Sequence, residues 1–329
     1  MPPNERIIAM GDIGFGVIGL GMGMARANLV HELDGAALVA VCDLDEARLK
    51  TAVEQNGCKT YTDFDQMLAD DDIDVVYVLT PSGTHLDFTT RAAQAGKHVI
   101  STKPLDVTFD RCRQMIDVCA ANNVHLVADY ESRYYPRFQH IKVAVDAGEF
   151  GDLLFLEARC KWWRDMDYYK SGGWRGTWKY DGGGSMANQG IHLLDIFLWL
   201  AGSVKVVSAH AAVLNHDIET EDFAFAQVEF GNGRLGTLLT TTNHHVGNAF
   251  DIGLTGTLGS AELVRENIQV AFEADDRTEP KTPLPDWPKS AADDMVRVLR
   301  DGAEPMNPGE EGARAIELLE SVYKAAGLR

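Results

Sequence analysis

With 329 residues the chain is long enough for two domains, or one large one, each burying its own core. Its 49 Asp and Glu against 30 Lys and Arg give a formal net charge of -19, which argues against a phosphate-backbone partner such as a nucleic acid. Cys42, Cys58, Cys112, Cys119 and Cys160 form no C-x-x-C pair and are odd in number, which points to a reducing cytoplasm rather than a disulfide framework; no stretch reaches the ~18 consecutive apolar residues of a membrane span.

Arg6 and the apolar run behind it imitate a signal peptide with a small-x-small end at Ala25-Arg26-Ala27, yet Asp12 and several glycines interrupt that run, and a cytoplasmic protein is expected. GFGVIGLG reads as a strand and glycine turn, and MARANLVHEL as a helix with Ala27, Val30 and Leu33 near one face. That order suits a dinucleotide: Gly19, Gly21, Met22 and Gly23 would bring backbone N–H groups to a pyrophosphate. Met24 stands where the third glycine of the fingerprint falls. ALVAVCD is a second strand closed by Asp43, either a solvated strand-end acid or the carboxylate that binds a ribose 2′-OH. In the second role it repels a 2′-phosphate and favours NAD over NADP. LDEARLKTAVEQNG is a helix stopped by Gly57, DVVYVLT a strand, and THLDFTTRAAQAG a helix with Thr84 as N-cap and Gly96 past its end. Thr80 and Pro81 fall at the carboxyl end of that strand, beside the expected ligand crevice, and His85 in the next first turn suits a capping or cofactor-edge role. HVIS is a strand ending at Thr102 and Lys103. Pro104 restricts how the lysine is held, and near a charged nicotinamide its pKa would be depressed. From near Thr108 a helix places Cys112, Met115, Ile116 and Cys119 at core spacing, and NVHLVAD closes a parallel, doubly wound α/β series.

After about Asp129 the texture changes to long strand-forming runs, DLLFLEARCKWW, VKVVSAHAAVL, DFAFAQVEF and GRLGTLLTTTNHH, which predict a mostly antiparallel sheet. The division is a dinucleotide-binding domain over 1–128 and a substrate-binding and oligomerisation α+β domain over 129–329. SMANQGIHLLDIFLWLAG is apolar nearly all round except for Asn188, His192 and Asp195 at i, i+4 and i+7, with Ser185 one turn before. Buried polar groups cost roughly 1–3 kcal/mol each when unpaired, so this stripe must face partners, water or a ligand. Gly182, Gly183 and Gly184 would admit a bound molecule close to the backbone. Aromatics with Arg164, Tyr169, Trp174 and Arg175 in KWWRDMDYYKSGGWRG suit a sugar ring or a subunit surface equally. His244 and His245, adjacent in an expected strand, point to opposite faces, so no metal site is expected.

The first-strand glycines, TPSGTH, GKHVISTKPL, SRYYPRF and GGGSMANQGIHLLDIFLWLAG, in this order and with GTLGSAEL and GEEGARAIELLESVYKAA behind them, resemble the Gfo/Idh/MocA oxidoreductases over almost the whole chain. The resemblance implies an N-terminal Rossmann domain and a C-terminal α+β domain, NAD or NADP as cofactor, a sugar or cyclitol as substrate, and assembly into a homodimer or homotetramer through the open face of the second sheet. It places the family lysine on Lys103, the helix histidine on His192, and the Trp-Arg pair near the nicotinamide on Trp174 and Arg175. Thr102 stands where the family usually has Glu, and Asn188 where it often has Asp. Asn188 cannot act as a base, so Lys103 and His192 would share the proton handling, with Asn188 and His192, together with Arg164 and Tyr169, on the substrate. A redox-neutral glycosidase and a non-catalytic sugar sensor are the alternatives.

Overall fold

The protein is described from a computed structural model covering residues 11–231, 233–264, 267–274 and 276–329; Arg6 of the leader-like stretch lies outside the described residues. Two compact units account for the chain. The first comprises residues up to Asp106, Asp110–Asp129 and Ser290–Glu310, so the segment 290–310 joins the unit built by the N-terminal half.

Its elements are β1 (Ile13–Ile18), α1 (Leu20–Glu32), β2 (Ala36–Cys42), α2 (Glu46–Asn56), β3 (Lys59–Tyr61), α3 (Phe64–Leu68), β4 (Val75–Val78), α4 (His85–Gln94), β5 (His98–Thr102), α5 (Phe109–Ala121) and β6 (Leu126–Asp129). The six strands are parallel in the order β3-β2-β1-β4-β5-β6, the doubly wound order whose crevice opens between β1 and β4. Every residue of β2 is buried, which is why the run AALVAVC needs no polar alternation. Asp45 caps α2 by accepting from the Ala47 and Arg48 amides, and Gly57 ends it at φ 67°. Cys112, Met115 and Cys119 face the core as their spacing demands, and burial pushes the Cys119 thiol up to about 12. The short β3 and α3 carry no periodic signal and escape a sequence reading.

The second unit holds α6 (Pro136–Asp146), β7 (Leu153–Lys161), α7 (Met166–Lys170), α8 (Ile191–Ala201), β8 (Val204–Ala212), β9 (Phe223–Phe230), β10 (Arg234–Thr241), β11 (Ala249–Gly256), β12 (Gly259–Val264) and β13 (Asn267–Phe272). Seven strands run β13-β12-β11-β7-β10-β9-β8, antiparallel except for the parallel β7–β10 pair. Leu156, Ala158, Cys160, Ala226, Val228 and Leu238 fill the inner face, against which α8 packs. Phe155, Phe225 and Leu235 stand exposed on the outer face. Strand β10 ends at Thr241, so His244 and His245 lie in the loop beyond it and not in a strand; the His245 ring stacks on Trp163 at 3.7 Å.

Helix α9 (Ala291–Asp301) returns to the first unit and packs on β5 and β6, and Asn307 and Pro308 bond the free edge of β6. The last helix, α10 (Gly309–Ala325), belongs to the second unit from Glu311 onward. Among the described residues no helix is long and apolar enough to cross a membrane.

Candidate active site

In the first unit the glycine turn lies at the carboxyl edge of the parallel sheet. Gly19 has φ 90°, and a Cβ there would sit 2.7 Å from the Leu79 carbonyl oxygen, so only glycine fits. A Cβ on Gly21 would meet nothing nearer than Arg48 Nη1 at 3.7 Å, which leaves a cradle where a pyrophosphate could approach the start of α1. Met22 beside it is exposed. Gly23 instead is buried against Val17 and Leu79, the close helix–sheet packing that one glycine of a dinucleotide turn serves. Asp43 lies at the end of β2. Its carboxylate accepts from the Leu20 amide at 2.6 Å and the Asp45 amide at 2.9 Å, with Arg48 Nη1 3.5 Å away.

Thr80 and Pro81 close the β4 end as expected, and Thr84 stands at the N-cap of α4, although its side chain makes no capping bond. Its hydroxyl donates to the Pro81 carbonyl and meets the Thr80 hydroxyl at 2.8 Å. His85 is also corrected. It is fully buried, with Nδ1 3.0 Å from the Leu105 carbonyl and Nε2 2.8 Å from that of Thr80, so it ties the β4 end to the turn after β5 rather than edging a cofactor. Lys103 follows β5 directly, half-buried, and its bond to Pro104 is cis. Beside Thr102 across the β5–β6 pair stands Asp129, which accepts from Arg26 Nε at 2.8 Å and from the Tyr77 hydroxyl at 2.5 Å. Burial and the neighbouring carboxylate raise the Tyr77 phenol well above its ordinary pKa, so it stays a donor. A sequence reading has no signal for this three-element network.

In the second unit the candidate residues lie around Gly182–Gln189. A Cβ on Gly183 would strike the Tyr323 hydroxyl at 2.1 Å and one on Gly184 the Glu221 carbonyl at 1.7 Å, so these glycines make room for the protein itself, not for a ligand. Residues Ser185–Gln189 form a π turn, closed by the Gly190 amide on the Ser185 carbonyl at 2.8 Å, and only then does α8 begin. The polar stripe is therefore not one face of a continuous α-helix. Ser185 Oγ bonds Thr240 and Glu221. Asp195 is fully buried on Arg133 at 2.7 and 2.9 Å, with Glu311 as the second carboxylate on that guanidinium. Asn188 and His192 are the remaining members of the stripe.

Asn188 Nδ2 donates to Asp181 Oδ1 at 2.7 Å, and the Gly176 amide holds the other oxygen of that buried carboxylate at 2.8 Å. The amide orientation of Asn188 is thus set: nitrogen toward Asp181, carbonyl oxygen away from it. His192, 7 % exposed, stands edge-on to the rings of Tyr130 and Phe250. Tyr169 is buried with its hydroxyl 2.8 Å from that of Thr242, and burial raises its pKa. Its neighbour Tyr168 takes the Gln189 amide at 3.0 Å. Arg164 and Arg175 lie over the Tyr168 ring, and Trp174 lies against Arg175. Arg175 and Lys170, with Tyr169, Asp217 and Glu219, line a cavity of about 350 Å³. Among the described residues no group of three or more His, Cys, Asp or Glu could hold a metal ion.

A parallel sheet in this strand order, a glycine cradle under its first strand and an acid closing its second define a dinucleotide-binding protein. The chain matches the model of an oxidoreductase family with an NAD-binding Rossmann fold over residues 13–130, and the GFO/IDH/MocA C-terminal domain model over residues 138–262. It is 30% identical to the WlbA dehydrogenase of Chromobacterium violaceum, solved in complex with NADH and UDP-GlcNAcA, with 99% of this chain and 96% of that one covered at a TM-score of 0.87. It is 26% identical to the inositol 2-dehydrogenase of Rhizobium meliloti over 95% of this chain and 96% of that one. A 2,7-anhydro-N-acetylneuraminate hydratase of Mediterraneibacter gnavus is 24% identical over 82% of this chain and 72% of its own. This chain belongs to the Gfo/Idh/MocA family of oxidoreductases.

Proposed function

We propose that the protein is a dehydrogenase that oxidises or reduces a secondary alcohol of a sugar, sugar derivative or cyclitol by hydride exchange with NAD. The observation that carries this reading is the Asn188 amide, locked by buried Asp181 in the π turn that leads into the helix of His192, in a chain whose other unit is a dinucleotide fold. Gly19, Gly21 and the start of α1 would hold the pyrophosphate, and Asp43 the adenosine ribose. Asp43 supports NAD over NADP, although Arg48 beside it offers a counter-charge. When bound, the nicotinamide supplies the hydride acceptor. Lys103, at the end of β5, and His192 remove and hold the hydroxyl proton. Asn188 accepts from a neighbouring hydroxyl through its carbonyl oxygen, and Thr80, Pro81 and Thr102 flank the lysine at the sheet edge.

The five buried thiols support a reducing compartment, and the exposed apolar residues on the outer face of the second sheet support assembly of identical copies. The surplus of acids supports small molecules rather than nucleic acid as ligands.

The test is NADH or NADPH formation by wild-type and Lys103→Ala proteins from NAD or NADP with monosaccharides, inositols, sugar acids and sugar nucleotides. Loss of at least ~100-fold in turnover without loss of NAD binding is expected, in keeping with acid–base catalysis; an alanine variant that keeps most of the turnover sinks the mechanism. Because one relative is a hydratase, products are analysed as well. Conversion of a sugar with no net NADH would favour an oxidise-and-restore cycle on the same residues.

A further inference from the structure

We infer that Arg164 and Arg175 form a clamp for an anionic group, a carboxylate or a phosphate, on the substrate; this deepens the dehydrogenase reading and rests on it. The two guanidinium groups belong to one alternating stack of rings and cations. Arg164 lies between Trp162 at 4.8 Å and Tyr168 at 4.7 Å, and Arg175 between Tyr168 at 4.9 Å and Trp174 at 4.6 Å. Aromatic faces stabilise the charge and fix each guanidinium plane, but they accept none of its in-plane N–H bonds. Those donors are left for a partner that can take two at once, which a carboxylate or phosphate does.

Among the described residues no such partner meets either guanidinium. Acids outnumber bases 49 to 30, and other arginines use them: Arg26 on Asp129, Arg91 on Asp65, Arg111 on Asp106, Arg133 on Asp195. Among the described residues, Arg164 donates only to the Trp163 carbonyl at 3.2 Å and Arg175 only to the carbonyl and hydroxyl of Ser171, at 2.8 and 3.2 Å. The Nε atoms of both are buried without an acceptor. Asp217 and Glu219 share the cavity with Arg175 yet form no ion pair with it.

The position is built. The Arg164 amide bonds the Thr242 carbonyl at 3.1 Å, and its own carbonyl faces His216 Nε2 at 2.7 Å, while His216 Nδ1 is held by buried Asp222 at 2.9 Å. Tyr168, at the centre of the stack, is bonded to Gln189, the neighbour of Asn188. An anion on the clamp would therefore be carried by the same molecule whose hydroxyl meets Asn188. This moves Arg175 from the cofactor's edge, where the family resemblance puts it, to the substrate.

Full-length protein saturated with NAD, so that the dinucleotide site is filled, is titrated with inorganic pyrophosphate and with malonate, following tryptophan fluorescence and heat. Saturable binding of at least one anion is expected, weakened at least ~10-fold in Arg164→Gln and in Arg175→Gln, weakened by salt, and with NAD affinity unchanged. Three results overturn the clamp: no saturation by either anion, binding indifferent to both substitutions, or an Arg175→Gln effect confined to NAD affinity. Glucose is then compared with glucuronate and with glucose 1-phosphate. Preference for the acid assigns a carboxylate and preference for the ester a phosphate, whereas equal binding of all three removes the clamp from sugar recognition. Failure of every sugar to yield NADH would sink the dehydrogenase reading, while the anion titration still decides the clamp.

Discussion

Asn188 is informative because its partner is a carboxylate. With Asp181 Oδ1 2.7 Å from Nδ2, an Asn188→Asp variant would bring two carboxylates into one site, and one of them would have to hold a proton. Turnover should fall about 10- to 100-fold at neutral pH and recover as the pH is lowered. Asp181→Asn should also lose turnover, because two facing amides no longer fix which atom of Asn188 meets the substrate. The exchanged pair, Asp181→Asn with Asn188→Asp, keeps a donor toward residue 188 and an acceptor for the Gly176 amide, so it should be more active than either single variant. Steady-state rates against pH decide this. An Asp181→Asn enzyme with wild-type kcat and KM would show that the pair does not orient the site. Asn188 and His192 were legible because a polar side chain in an apolar run stands out. Asp181, His216 and Tyr168 were not, since they lie in loops and a short helix where polarity is ordinary.

At the scale of elements, the decisive feature is the π turn before α8. Glu221 anchors its start with four donors: the amides of Gly184 and Met186, the Ser185 hydroxyl at 3.3 Å and the Tyr323 hydroxyl at 2.9 Å. Burial outweighs these donors and pushes the Glu221 carboxyl up to about 7. A carboxyl raised in the folded state stabilises most below its unfolded pKa of about 4.3 and loses that contribution as the pH climbs through the folded value. The loss amounts to a few kcal/mol at most, about 1.4 per unit of pKa. Urea midpoints of wild type and Glu221→Gln should therefore converge between pH 5 and pH 8, the variant lacking this slope. Parallel curves over that range would mean that Glu221 is ionised throughout. The nearly all-apolar run with its polar stripe announced a helix here, but the extra residue of the turn did not show in it. Gly190 is the only trace, its missing Cβ leaving space for the Thr240 methyl at 2.4 Å.

For the whole molecule, the question is what covers the outer face of the seven-stranded sheet. Phe155 pairs with exposed Leu235 across β7–β10, and exposed Phe225 opposes half-buried Leu239 across β10–β9, with Thr237 between the two pairs on β10. Light scattering should give a dimer or tetramer, and Phe155→Asp with Leu235→Asp should dissociate it while far-UV circular dichroism stays native; a wild-type monomer at micromolar concentration sinks the proposed assembly. The sequence by itself determined the parallel series, its glycine turn, the strand-closing Asp43 and the Lys103-Pro104 step, because adjacent residues and short periods decide strands, turns and helix faces. It also determined that polar residues in the run from Ser185 must find partners. Only the tertiary structure decided who those partners are: Asp195 went to Arg133, His85 to backbone carbonyls, the glycines to Tyr323 and Glu221, and residues 290–310 to the first unit. Burial is a property of contacts made far along the chain, and it is burial that turns a polar side chain into a structural clamp or leaves it for chemistry.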